Sequence, residues 1–262
     1  MRREQGSGSI EGGPPQGAPP LGPGRADGPP AGLDGPPPVR PRPARSGIAA
    51  VTALVFSAGA GVVLQSALLG TGVAQVDGRA LQESVELRSA ELTLLATAVT
   101  HAGSTAAMAV LAVVAAVWLW VGGRRGHAVL VVGAMAGAAV LFRSMKAVLD
   151  RARPPEAGRL VEVGSESLPS GHATMSVVVV GVLVALAWRR YPGSGRVVLA
   201  LGAAGWVGSV GLSRVYLGVH WFSDVVAGWL VGAAWLAACL AVWWWARRPG
   251  SRHLGGPLRL HD

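Results

Sequence analysis

Residues 224–246 read DVVAGWLVGAAWLAACLAVWWWA, twenty-three positions with one charged side chain, Asp224, at the very start. An α-helix rises about 1.5 Å per residue, so a run of this length reaches across a hydrocarbon core of about 30 Å. Five further apolar runs lie upstream, at about 48–69, 100–121, 127–145, 173–188 and 197–212. The pattern predicts an all-α, polytopic membrane protein with six transmembrane helices. The runs at 173–188 and 197–212 are short, about 16 residues each, and need their flanks to complete a crossing. That requirement places Pro169–His172 and Ser213–His220 near the membrane interface.

Composition points the same way. Of 262 residues, 51% are hydrophobic and 14% charged, against about 25% charged in soluble domains, and the mean hydropathy is +0.43. A large soluble enzyme and a chain disordered throughout are both excluded. The first 46 residues differ from the rest: they hold 12 of the 18 prolines and 10 of the 38 glycines, with no apolar run. Such a segment cannot bury enough apolar surface to offset the entropy of ordering. The expected organisation is a disordered Pro/Gly-rich cytoplasmic tail at 1–46, a six-helix membrane domain at 47–246 and a short basic cytoplasmic tail at 247–262. The tail has no signal-peptide core, so the first apolar run is expected to remain as an anchor. The single cysteine, Cys239, permits no intrachain disulfide and reads as a packed thiol.

The net charge of +9 comes from 23 Lys and Arg against 14 Asp and Glu. In a soluble protein this balance suggests nucleic acid, but here the cations follow the membrane flanks and no nucleic-acid partner is expected. Arginines are retained on the cytoplasmic side of short loops. With the tail inside, Arg40, Arg42, Arg45, Arg124, Arg125, Arg189, Arg190, Arg196, Arg247, Arg248, Arg252 and Arg259 all become cytoplasmic. Both termini are then inside, in a plasma membrane. Trp118, Trp120, Trp188, Trp243, Trp244 and Trp245 fall at the inner helix ends, as an interfacial belt would. The loop at 71–91 has mixed charge and is expected to begin with a short interfacial helix. Arg143, Lys146, Arg151, Arg153, Arg159 and Arg214 fall outside, where the topology rule does not ask for cations.

Three outer segments carry the chemistry: KAVLDRARP at 146–154, PSGH at 169–172 and SRVYLGVHWFSD at 213–224. Each sits at the outer end of an apolar run, so antiparallel packing can gather them at one depth. Lys146, the only lysine, and Arg153 are seven apart, two helical turns, and share a face with Arg143 and Asp150, until Pro154 and Pro155 stop the helix. Two such cations suit phosphate oxygens, or else snorkel to the interface, and Asp150 can pair with either. Ser170, Gly171 and His172 precede a helix, whose first N–H groups make an anion site; the plainer reading of Ser170 is an N-cap. His172 can serve as a proton donor. The i, i+4 spacing of His220 and Asp224 lets the carboxylate fix the imidazole tautomer and leave the other nitrogen to attack. Alone, that pair could also be a cap or half a metal site, but no further ligands stand at metal-type spacing, and no metal or cofactor is expected.

Taken together, Lys146 with Arg153-Pro154, then Pro169-Ser170-Gly171-His172, then Ser213-Arg214 with His220 and Asp224 resemble the signature K-x6-RP, PSGH, SR-x5-H-x3-D. That signature belongs to the type 2 phosphatidic acid phosphatase superfamily, which includes bacterial membrane lipid phosphatases and soluble vanadium haloperoxidases. The resemblance is sharp over 146–224 and covers about 48–246 in topology. It implies a phosphohistidine route: His220 as nucleophile, Asp224 orienting it, and His172 protonating the leaving group. By the same resemblance Lys146, Arg153, Ser170, Gly171 and Arg214 bind the phosphate oxygens. The expected substrate is a lipid phosphomonoester or pyrophosphate taken from the outer interface, undecaprenyl pyrophosphate before phosphatidic acid or phosphatidylglycerophosphate. The alternatives are a phosphotransferase or haloperoxidase on the same pocket, and a phosphate-binding lipid or anion transporter. Oligomeric state is left open by the sequence.

Overall fold

In a computed structural model, which describes residues 45–247, the described residues are mostly helical, without a strand among them. Among the described residues eight α-helices follow in order: α1 (Arg45–Leu69), α2 (Asp77–Glu86), α3 (Ala90–Ala102), α4 (Thr105–Val121), α5 (Arg125–Leu149), α6 (Gly171–Ala187), α7 (Gly193–Tyr216) and α8 (Phe222–Ala246). Of the tails expected at 1–46 and 247–262, residues 1–44 and 248–262 lie outside the described residues, while Arg45 and Ser46 already belong to α1.

Five helices, α1, α5, α6 with its 3-10 extension to Arg190, α7 and α8, are each long and apolar enough to cross a membrane. The single run expected at 100–121 is instead two helices, α3 and α4, bent by 46° at a short break, and only the two together are long and apolar enough for a sixth crossing. The break falls at Gly103-Ser104, a pair of the kind that kinks helices. Ser104 restarts the helix, its Oγ accepting the Ala107 N–H at 3.1 Å. The mixed-charge loop forms a 3-10 turn at Gly72–Val76 and then α2, the short helix expected there.

The core lies between α4, α5 and α6, where Ala112, Val131, Ala134, Ala138, Met175 and Val178 are almost wholly buried. Helix α8 packs along α1 and against α6. Close approach of α8 to α6 depends on two glycines one turn apart. A Cβ on Gly228 would lie 2.7 Å from the Ser170 carbonyl oxygen, and one on Gly232 would lie 2.8 Å from that of Thr174. Small residues at this spacing let helix backbones touch where no hydrophobic effect drives them together. Outward faces remain apolar: Val51, Leu54, Val55 and Val62 on α1, and Val197, Val198 and Leu201 on α7, are all exposed. Such surface suits lipid and not water.

Candidate active site

The outer flanks named above meet at one end of the bundle. Helix α5 ends there, α6 begins there, and α7 turns into α8 through Leu217–Trp221. That turn requires Gly218, whose φ is +72° and whose missing Cβ would fall 2.4 Å from the Gly158 carbonyl oxygen. A cavity of about 470 Å³ opens at this end, with Lys146, Arg153, Gly171, His172, Arg214 and His220 among its walls.

The route by which Lys146 and Arg153 converge differs from the one read in the sequence. Helix α5 stops at Leu149, before the prolines, and Arg153 is not helical. Asp150 adopts φ +40°, and this left-handed step folds the following segment back over the helix end. Asp150 is exposed and makes no ion pair with Lys146 or Arg153. Lys146 is 7% exposed and donates to the Glu166 carbonyl. Arg153 is held by the carbonyls of Ser165, Glu166 and Val219. Its guanidinium is therefore anchored on backbone from two loops. Arg143 also lines the cavity, exposed, with its guanidinium 5.5 Å from the Phe142 ring centroid.

Ser170 stands at the N-cap of α6, but its hydroxyl makes no capping bond. Its N–H instead donates to the Asp224 carbonyl at 3.0 Å, tying the start of α6 to α8. Its Oγ is buried without a hydrogen-bond partner among the described residues, as is Nε of Arg214. Unpaired buried polar atoms cost free energy unless something accepts from them, so both point to a ligand. The first intrahelical bond of α6 runs from the Thr174 N–H to the Ser170 carbonyl, and the amides of Gly171 and His172 precede it. Gly171 has a packing role as well: the Phe142 ring stands 2.9 Å from where its Cβ would be. Arg214 is 5% exposed, on the last turn of α7, and donates through Nη1 to Thr100 Oγ1 on α3 at 2.7 Å.

His220 and Asp224 pair as their spacing predicts, with Nδ1 3.3 Å from Oδ2. On the other side of the ring, Arg153 Nη1 is 3.2 Å from Nε2. A guanidinium has only donors, so Nε2 must be the acceptor and the proton must sit on Nδ1, toward the carboxylate. Both neighbours select the same tautomer. Burial pushes the His220 imidazole down to about 3, against the opposing hydrogen bond and charge of Asp224, while Arg153 and Arg214 add to the depression. The ring is neutral at pH 7, with its lone pair on Nε2. Burial also lowers Arg153 from its ordinary value, opposed by Asp224.

Asp224 is fully buried and saturated with donors. Oδ2 accepts from the Trp221 N–H at 2.9 Å and from Ser167 Oγ. Oδ1 accepts from Arg151 Nη1 at 2.5 Å. Arg151 bridges onward to Asp77 Oδ2 at 2.8 Å. Ser167, Thr100 and Asp77 were not singled out from the sequence, and Arg151 stood out only as a cation on the unexpected side. Ser167 and Thr100 carry no local signal, because a hydroxyl in a loop or an apolar helix looks alike whether or not it meets a charge. Among the described residues, no three His, Cys, Asp or Glu side chains converge as a metal site.

The arrangement therefore combines a neutral imidazole of fixed tautomer, three clustered cations, a helix start and two unpartnered donors. It suits a tetrahedral anion attacked in line by nitrogen. Residues 127–248 match the family model described as the PAP2 superfamily. Phosphatidylglycerophosphatase B of Bacillus subtilis (strain 168) is 27% identical over 175 residues, covering 65% of this chain and 85% of that protein. Among solved structures, a transmembrane PAP2-type phosphatidylglycerolphosphate phosphatase from Bacillus subtilis aligns with a TM-score of 0.67 at 23% identity, over 73% of this chain and 95% of that one. Aquifex aeolicus LpxE aligns with a TM-score of 0.50 at 21% identity, over 64% and 94%.

Proposed function

We propose that this membrane protein, whose residues 127–248 match the PAP2 superfamily model, is a phosphoric ester hydrolase that removes phosphate from a lipid through a phosphohistidine at His220. The observation that carries this reading is the pair of buried, unpartnered donors, Ser170 Oγ and Arg214 Nε, in the end of the bundle where His220 Nε2 carries its lone pair.

In the first step Nε2 forms a bond to phosphorus as the bond to the lipid oxygen breaks. His172, on the cavity wall, gives its proton to that departing oxygen. The N–H that Arg153 directs at Nε2 passes to a phosphate oxygen as the attack proceeds. Lys146, Arg153, Arg214, Ser170 and the Gly171 amide hold the equatorial oxygens, where charge spreads in the transition state. Asp224 keeps the Nδ1 proton while the ring becomes cationic. In the second step His172 takes a proton from water, which attacks phosphorus and frees His220.

Placement suggests the substrate. The cavity lies at helix ends, so a head group can enter while its tails stay in lipid. Similarity to phosphatidylglycerophosphatase B supports a glycerophospholipid monoester of the phosphatidylglycerophosphate type over the prenyl pyrophosphate. Orientation follows from charge. Arg124, Arg125, Arg189, Arg190 and Arg247 lie at the helix ends away from the site, with no Asp or Glu among the described residues there. Arginine retention then puts that end and both termini in the cytoplasm and the site outside the plasma membrane.

The test is phosphate release by purified protein in detergent, with EDTA present, from phosphatidylglycerophosphate, phosphatidic acid and undecaprenyl pyrophosphate. Release that disappears in His220→Ala supports the reading. Release unchanged in that variant refutes it, and binding of all three lipids without release from any of them counts against hydrolysis.

A further inference from the structure

Asp224 is held by more than its histidine. Arg151 lies between two carboxylates, 2.5 Å from Asp224 Oδ1 and 2.8 Å from Asp77 Oδ2. Ser223 closes the ring. Its Oγ accepts from Arg151 at 2.8 Å and donates to Asp77 Oδ2 at 2.6 Å, and its N–H donates to Asp77 Oδ1 at 2.8 Å. Asp77 is the first residue of α2, and both it and Ser223 are buried. The Arg151 carbonyl accepts the Ser167 N–H at 2.8 Å, and Ser167 is the residue whose hydroxyl reaches Asp224 Oδ2. The indole of Trp221 lies 5.8 Å from the guanidinium carbon and donates to the Ala152 carbonyl.

We infer that Asp77 and Arg151 are positioning residues for the phosphatase reaction, acting on His220 through Asp224 and linking the short helix α2 to the nucleophile. The inference rests on the reading of His220 as that nucleophile. Two effects follow from the geometry. Arg151 fixes the carboxylate plane, so that Oδ2 faces the imidazole. Asp77 shares the Arg151 charge, so that Asp224 is not neutralised by it and keeps the negative charge that supports an imidazolium. The groups facing His220 from the packed elements are Arg153, Arg214 on α7, His172 on α6 and Asp224 on α8; Lys146 and Glu166 line the same cavity. None of these touches Asp77, so its effect is read through Arg151.

The two substitutions move the nucleophile in opposite directions. Asp77→Asn leaves Arg151 wholly to Asp224, weakens support for the imidazolium, and moves the acidic limb of the kcat profile to lower pH. Arg151→Gln leaves Asp224 with its full charge and moves that limb to higher pH. Both lower kcat, by about tenfold or more, with KM within twofold. The double variant brings the limb back toward its wild-type position, because the two charge changes cancel. A merely structural role would move none of the limbs in opposed directions.

The experiment measures kcat, KM and pH profiles in detergent for wild type, the two single variants, the double variant and His220→Ala. Activity in wild type with none in His220→Ala upholds the underlying reading, and the Asp77 and Arg151 variants alone then decide this inference. Unchanged kcat in Asp77→Asn, or limbs that stay in place or move together, overturns it. If either single variant gives no monodisperse protein, Ser223→Ala decides: it loosens the same bridge, and wild-type kcat in it overturns the inference.

Discussion

Replacing Asp224 with asparagine changes one atom and cannot satisfy the site in either orientation. Four donors converge on the carboxylate: Arg151 Nη1 at Oδ1, and at Oδ2 the Ser167 hydroxyl, the Trp221 N–H at 2.9 Å and the His220 ring nitrogen at 3.3 Å. An amide offers one oxygen and one NH2. With NH2 at the Oδ1 position, the Arg151 guanidinium faces a donor and loses half of its anionic pairing. Breaking a buried pair in this way costs about 3–5 kcal/mol. With NH2 at the Oδ2 position, the amide donates to Nδ1 and forces the ring proton onto Nε2. There the proton meets Arg153 at 3.2 Å and occupies the lone pair needed for attack. The second orientation keeps the buried cation paired and is the one expected. A hydrolase histidine turned to the wrong tautomer loses about 10⁴ in kcat, equal to roughly 5 kcal/mol of barrier at about 1.4 kcal/mol per tenfold. The assay is phosphate release at saturating lipid phosphate, with KM measured beside kcat and detergent gel filtration confirming the folded state. KM should change little, because no phosphate contact is removed. A fall in kcat of less than tenfold in monodisperse protein refutes the tautomer argument.

Three other outcomes follow from particular contacts. His172→Ala should lower kcat by about 10²–10⁴, the usual range for lost general acid help, and the loss should shrink for an aryl phosphate, whose leaving group needs no proton; an equal loss for both substrates removes His172 from that role. Gly228→Ala should destabilise the bundle by about 1–3 kcal/mol, because the new Cβ meets the Ser170 carbonyl oxygen at 2.7 Å, whereas Gly202→Ala has nothing within 4 Å and should leave thermal unfolding in detergent unchanged or slightly raised. For pH, the His220 imidazole in the folded chain stays neutral down to about 3, while in the unfolded chain it takes a proton below about 6.5. The unfolded state therefore binds more protons between those values, and stability is lost as pH falls through that window, by about 2–3 kcal/mol between pH 6.5 and 4.5. His220→Gln should flatten that dependence, and an unchanged slope would contradict the burial argument.

Much of this molecule was legible before its structure. The apolar runs mark the five helices long enough to cross and the bent α3–α4 pair, because in lipid a helix is the only way for a short segment to satisfy its own backbone. The His220–Asp224 pair was readable because i, i+4 spacing is a property of any helix start. Where the sequence misled, geometry beyond the local period decided. The seven-residue spacing of Lys146 and Arg153 suggested one helical face, yet a left-handed Asp150 ends the helix and a loop brings Arg153 back by another path. The run read as one span at 100–121 is broken at Gly103-Ser104, which a hydropathy run does not register. Arg151 was visible only as an unexplained outer cation, since its partners Asp77 and Asp224 lie 74 and 73 positions away in the chain. Likewise Thr100 meets Arg214 across 114 positions. Pairings at that range follow from helix packing, which periodicity does not encode.

The central claim is a covalent bond from phosphorus to His220 Nε2. The direct measurement is rapid quenching of the enzyme with a lipid carrying labelled phosphate, followed by peptide mapping of the trapped protein. A phosphohistidine gives an acid-labile, base-stable label on the peptide containing His220, absent in His220→Ala and accumulating in a variant slowed at the water step. Label on another residue, or full phosphate release by His220→Ala with no label in either protein, would contradict it.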